Sequence, residues 1–169
     1  MTKSEKKIEF GFEGPEFEII ETKEDIGFED LKKIVLSYQE RLKNLSEISE
    51  FTDFFFKEKL EYKKELLTWK DQTMKNTLVA LDKAGEVLSK MNDTDWNKGN
   101  LEKFLIEGAE KFGREVIGKI VDRGYLLWPL RVALTGKKAS ASPFEVAEIL
   151  GKEKTLKRIE VAKKIIANN

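Results

Sequence analysis

One arginine stands inside an otherwise apolar run. Residues 126–136 read Leu-Leu-Trp-Pro-Leu-Arg-Val-Ala-Leu-Thr-Gly, and Arg131 is the charged member. Its guanidinium keeps its proton, offers a planar fork of donors and is expensive to bury unpaired, so it requires an anionic or planar acceptor. Two outlets exist. Arg131 either snorkels or pairs with a neighbouring carboxylate, or it faces a ligand. After Gly136 the chain passes through the basic, serine-containing loop Lys137-Lys138-Ala139-Ser140-Ala141 into a helix-start signal, Ser142-Pro143-Phe144-Glu145. That order describes a ligand-facing helix end followed by a contact loop.

Other chemistry is excluded by composition. The 169 residues contain no histidine and no cysteine, which removes Ser-His and Cys-His nucleophile pairs, disulfides and thiolate metal sites. No apolar run approaches the roughly 20 residues of a membrane span, and the start Met-Thr-Lys-Ser-Glu-Lys-Lys lacks an apolar signal core. A soluble cytoplasmic chain with no membrane partner is expected. Formal charge is zero but uneven: residues 1–30 hold 4 Lys and 10 Asp/Glu, whereas residues 101–169 hold 14 Lys/Arg and 9 Asp/Glu. Such asymmetry suits a C-terminal half that approaches polyanions.

The elements that must hold Arg131 and its loop can be read from period. Ile8, Phe10 and Phe12 alternate with polar or small residues, as do Phe17 and Ile19, with Gly14-Pro15 between. They describe a short hairpin or an unstructured extension. From Phe28 the period becomes helical through Leu31, Val35, Tyr38, Leu42 and Leu45, which predicts a helix over 28–46. Phe51, Phe54, Phe55 and Phe56 then form an aromatic anchor between helices. Leu78 to Met91 marks another helix after Thr73, and Asn92-Asp93-Thr94-Asp95 breaks it. Asn100 is placed to cap the next helix, which carries Leu101, Phe104, Leu105 and Ala109. Pro129 suits a first helical turn and Gly136 a C-terminal cap. Ser142 to Glu145 forms a capping box, Gly151 closes that helix, and 155–167 forms the last.

Residues 127–136, Pro143-Phe144-Glu145, Ile149-Leu150-Gly151-Lys152-Glu153 and Leu156-Lys157-Arg158-Ile159 closely resemble the C-terminal anticodon-binding region of bacterial-type glutamyl-tRNA synthetases, class I enzymes. Upstream, Gln39 to Ile48, Asp53 to Phe56 and Lys64 to Lys70 extend the resemblance over about 31–169. It implies an all-α fold of two packed helical subdomains, a helical one over 28–98 and a C-terminal anticodon-binding one over 99–169; the acidic extension over 1–27 precedes them and shows no such resemblance. By the same resemblance Arg131 contacts the anticodon. Ser140, Ala141, Pro143 and Phe144 lie near the bases, with Phe144 alternatively forming core beneath the loop. Lys137 and Lys138 neighbour phosphates or are solvated charges. Arg41 faces the anticodon stem and loop, unless Glu40 or Glu47 pairs with it on its own helix. The family often has Ser-Pro or Thr-Pro where this chain has Ser140-Ala141, so this loop lacks a proline brace.

The resemblance also implies partners: the anticodon stem-loop of tRNA(Glu), and the catalytic domain of the complete synthetase. ATP and Mg serve that complete enzyme, none is expected in this chain, and a monomer is expected. Leu88-Ser89-Lys90-Met91 matches part of a class I ATP-site signature but lies within helical periodicity. Gly151-Lys152-Glu153-Lys154 lacks the upstream glycine and following Ser/Thr of a phosphate loop. No catalytic residue is therefore expected. The rival expectation is a protein-interaction module that keeps the fold without binding RNA.

Overall fold

The computed structural model of the chain describes residues 17–18, 25–118 and 122–168. Among the described residues the fold is all-α, apart from one antiparallel pair of two-residue strands, β1 (Phe17–Glu18) and β2 (Asp25–Ile26), with Phe17 in register with Ile26. The alternation at Phe17 thus meets a downstream partner. The upstream strand expected at Ile8 to Phe12, and its Gly14-Pro15 turn, lie outside the described residues.

Helix α1 (Phe28–Tyr38) buries Ile34 and Tyr38. It ends well before position 46, in a 3₁₀ turn over Gln39–Arg41, and Leu42 is extended at φ −84, ψ 132. The Glu47 carboxylate accepts the Lys43 amide at 3.0 Å, a local bond that competes with helix continuation. Leu42 still packs against the core, so the apolar spacing persists although the helix does not. Helix α2 (Ile48–Thr52) and a 3₁₀ turn over Asp53–Phe55 then seat the aromatic anchor. Phe54 and Phe55 are buried with ring centroids 4.3 Å apart, and Phe51 and Phe56 pack at the core's edge.

Helix α3 (Met74–Ser89) is capped by Thr73, whose hydroxyl accepts the Asn76 amide at 3.1 Å. Its buried face, Ala80, Leu81, Ala84 and Leu88, lies against α4 (Lys98–Phe112), α5 (Gly124–Thr135) and α6 (Pro143–Ala167). That face belongs to a hydrophobic core whose members run from Ile34 to Ala162. The cap of α4 is Asn97, whose side chain accepts the Asn100 amide at 3.0 Å. Asn100, expected to be the cap, sits one turn inside, because the side chain just before the first helical residue is the one that reaches back to free amides. After α4 the backbone widens to a π turn over Gly113–Ile117.

Pro129 lies well inside α5 rather than in its first turn. The helix starts early because the Asp122 carboxylate accepts the Gly124 amide at 2.9 Å. Proline has no N–H, so the Tyr125 carbonyl four residues back loses its helical donor. Gln72 Nε2 replaces it at 2.9 Å, inside the core. Helix α6 is interrupted at Gly151, which adopts φ 73, ψ 168, a backbone that a side chain would strain. Its second half resumes directly after Gly151, earlier than position 155.

Candidate nucleic-acid interface

The loop 136–142 joins α5 to α6 and is fastened at both ends. Gly136 ends α5 in the left-handed region at φ 69, its amide donating to Val132 O at 2.7 Å. Thr135 Oγ1 donates to Arg131 O at 2.8 Å and accepts the Lys137 amide at 3.1 Å. At the far end Ser142 and Glu145 close the expected capping box, with Ser142 N donating to Glu145 Oε2 at 2.9 Å and Glu145 N to Ser142 Oγ at 3.2 Å. Burial pushes the Glu145 carboxyl up. The Lys98 ammonium at 2.7 Å and the Ser142 hydroxyl outweigh it and hold the carboxyl below its ordinary value.

Between these fastenings two guanidinium groups converge on one carbonyl. Arg131 Nη1 donates to Ser140 O at 3.0 Å, with the Ser140 hydroxyl oxygen at 3.4 Å and Ala141 O at 3.5 Å. Arg41, from the 3₁₀ turn that follows α1, donates to the same Ser140 O at 3.4 Å. No carboxylate among the described residues pairs with either. Glu47, a candidate partner of Arg41, is engaged by the Lys43 amide. Burial lowers the affinity of half-buried Arg131 for its proton, and the Arg41 charge lowers it further, yet an arginine stays protonated throughout. Two like charges held together without an acid form a locus that an anion or a base edge would satisfy.

The other site residues divide by burial. Ala141 is fully buried, Ser140 nearly so, and Pro143 and Phe144 are buried, Phe144 within the core. Their side chains support the loop from beneath, and what Ser140 presents is its backbone. Lys137 Nζ pairs with Asp53 Oδ1 at 2.6 Å and also donates to the Glu50 carbonyl, which turns it toward α2. Lys138 is exposed and has no partner among the described residues. The two adjacent lysines, alike in sequence, therefore differ in availability.

Several residues that hold this arrangement have partners that the sequence does not name. Buried Tyr38 accepts the Ala141 amide on its hydroxyl at 3.0 Å, a contact 103 residues apart in the chain. Arg158, 5% exposed, donates to Phe54 O at 2.6 Å, to Lys57 O at 2.9 Å and to Leu134 O, so one side chain ties α6 to the end of α5 and to the 53–57 turn. Trp69 and Trp128 pack with centroids 4.8 Å apart, and Trp128 Nε1 donates to Leu66 O at 2.8 Å, bracing α5 one turn before Arg131. Arginine in an apolar helix pattern and aromatics near turns do suggest such roles, but the partners here are backbone carbonyls, which every sequence contains. Among the described residues no cluster of Asp, Glu, His or Cys could hold a metal ion, and no helix is long and apolar enough to cross a membrane.

At a fastened interhelical loop of this all-helical core, half-buried Arg131 thus lies beside exposed Arg41. The chain belongs to the anticodon binding domain family, which it matches over residues 16–163. Its relatives include a glutamate–tRNA ligase of Clostridium acetobutylicum, 37% identical over 142 residues, and one of Clostridium tetani, 38% identical over 135 residues. Glutamate–tRNA ligase 1 of Caldanaerobacter subterraneus subsp. tengcongensis is 33% identical over 147 residues. These alignments take in 83%, 78% and 86% of this chain but only 27%, 26% and 28% of the relatives, so the chain spans about a quarter of their length. The crystal structure of a glutamate tRNA ligase from Elizabethkingia meningosepticum in complex with its amino acid shares the fold, with a TM-score of 0.64 at 24% identity over 82% of this chain and 25% of that one.

Proposed function

We propose that the chain is the anticodon-reading part of a glutamate–tRNA ligase, binding the anticodon stem-loop of tRNA(Glu) while the catalytic domain of the complete cytoplasmic enzyme joins glutamate to the tRNA with ATP and Mg. The chain itself acts as a monomeric RNA-binding unit. One observation carries the reading: Arg131 and Arg41 meet at Ser140 O with no acidic partner among the described residues. Arg158 spends two guanidinium nitrogens on three carbonyls, whereas the contacts of Arg131, to Ser140 O, Ser140 Oγ and Ala141 O, all run through Nη1, and Arg41 reaches Ser140 O alone among the described residues. These two share one oxygen and retain unused donors, because each guanidinium has five N–H groups.

Recognition then proceeds by division of labour. Single-stranded anticodon bases are splayed out and read on their edges. Arg131 and Arg41 supply the planar donors, with the Ser140–Ala141 backbone between them. Pro143 and Phe144 hold the start of α6 under that backbone. Lys138 takes phosphate charge, and Lys137 joins it only by giving up Asp53. The test is Arg131→Ala, assayed against a glutamate-type anticodon stem-loop and an unrelated one. Loss of the base contact should cost roughly 1–3 kcal/mol for the glutamate-type loop and much less for the other. A protein of reduced stability with unchanged preference between the loops would assign Arg131 to the fold.

A further inference from the structure

The two guanidinium groups do not meet on a free oxygen. Ser140 O belongs to the peptide unit whose other edge is the Ala141 N–H, and that N–H donates to the Tyr38 hydroxyl at 3.0 Å. The chain has no cis peptide among its described residues. In a trans peptide the C=O and N–H point to opposite sides of one rigid plane. Holding the N–H therefore aims the C=O, and here it is aimed at Arg131 and Arg41.

Three further features make Tyr38 a fixed reference. Tyr38 is fully buried, with its ring 6.1 Å from that of Phe51. It is the last residue of α1, and Arg41 ends the 3₁₀ turn that follows directly, so the residue that pins the peptide and a residue that reads from it lie three positions apart in the chain. Burial, partly offset by the Ala141 bond and the two nearby arginines, raises the phenol's pKa, so the hydroxyl stays neutral and keeps its acceptor role. Hydrogen bonding at both edges of one peptide also polarises it, which strengthens the carbonyl as an acceptor for the cations.

We propose that Tyr38 is a positioning residue for base recognition: its hydroxyl pins the Ser140–Ala141 peptide, and through that peptide's carbonyl it sets the Arg131 and Arg41 guanidinium groups as one fork. The proposal rests on the anticodon-reading function above. It assigns to a tyrosine more than 90 residues upstream the bracing of a loop that this chain lacks a proline to stiffen. Without the hydroxyl the peptide can turn, the shared acceptor swings away, and two like charges held in common separate.

Tyr38→Phe keeps the ring and removes the acceptor. In the full chain it should narrow the ratio of Kd values between the unrelated and glutamate-type stem-loops roughly three- to tenfold, the size of one net hydrogen bond. The salt dependence of binding should stay unchanged, because no phosphate contact is lost. Leu88→Val, a destabilising change in the α3 core, serves as the control: it should lower Tm and leave the ratio alone. A Tyr38→Phe protein that behaves like this control would overturn the proposal. If Arg131→Ala leaves the ratio unchanged, the anticodon reading itself fails; if Arg131→Ala alters it and Tyr38→Phe does not, only the positioning role fails. Independent of any variant, amide exchange at Ala141 in the unaltered protein should be as slow as in the core helices. Fast exchange there would also overturn the pinning.

Discussion

Arg158→Met places the heaviest demand on the structure. Methionine preserves length and apolar contact while removing every donor. Arg158 is 5% exposed and donates to three carbonyls, Leu134 O, Phe54 O and Lys57 O. Each charge-assisted bond is worth about 1.5–3 kcal/mol when one partner is deleted, but the three losses are not additive because one relaxation serves all of them. With three carbonyls left to find other donors and one relaxation shared among them, we expect a total of about 3–5 kcal/mol. In a chain of this size 1 kcal/mol corresponds to about 2–4 °C, so Tm should fall by roughly 6–20 °C. Urea unfolding followed by far-UV circular dichroism and by the fluorescence of Trp69, Trp96 and Trp128 measures it. Arg158→Lys should fall between, since one ammonium cannot span three acceptors. A loss below about 1 kcal/mol for Arg158→Met would refute the reasoning, for it would mean that the three carbonyls find other donors at no cost.

Gln72→Leu should cost about 1–3 kcal/mol by orphaning the Tyr125 carbonyl that Pro129 cannot serve, and in a Pro129→Ala background, where an amide is restored at that position, thermal melts should show a smaller cost. Acid sensitivity should include a contribution from Glu145, whose unfolded carboxyl titrates near 4.5 and whose folded value is lower. Its stabilisation is complete above that unfolded value and lost as pH falls through the folded one. Urea midpoints of Glu145→Gln should therefore lose less than wild type between neutral and acid pH, and identical slopes would contradict the Lys98 and Ser142 contacts. Gly136→Ala should cost about 1–2 kcal/mol for a side chain in the left-handed region, with the added Cβ also pressed to 3.3 Å from Tyr62 Cδ1; a rise in Tm would count against the loop geometry.

The all-α class, the helix after Thr73, the capping box at Ser142, the caps at Gly136 and Gly151 and the aromatic anchor were all legible in residue order. Each is a local matter. Helical period sets which residues share a face, a serine followed three residues later by glutamate satisfies two amides within one turn, and positive φ selects glycine. The early end of α1 and the extra helical turns before Pro129 were not legible in the same way. There the outcome depended on competition: the Glu47 carboxylate against a helical carbonyl for Lys43, and Gln72 from another element for the acceptor that proline left open.

The site divides along the same line. Residue type alone marked Arg131 as a cation needing an acceptor, the family resemblance added Arg41, and spacing placed Lys137 and Lys138 on one loop. Only the tertiary fold brought Arg41 and Arg131 to one carbonyl, turned Lys137 onto Asp53 while leaving Lys138 exposed, and buried Ala141, Pro143 and Phe144 beneath the backbone they support. The physical reason is range. Caps, turns and amphipathic faces are settled within a few residues, whereas a guanidinium or phenol finds its partner among backbone groups contributed by distant elements, and nothing in the order of side chains distinguishes one backbone carbonyl from the next until packing has chosen which of them is near.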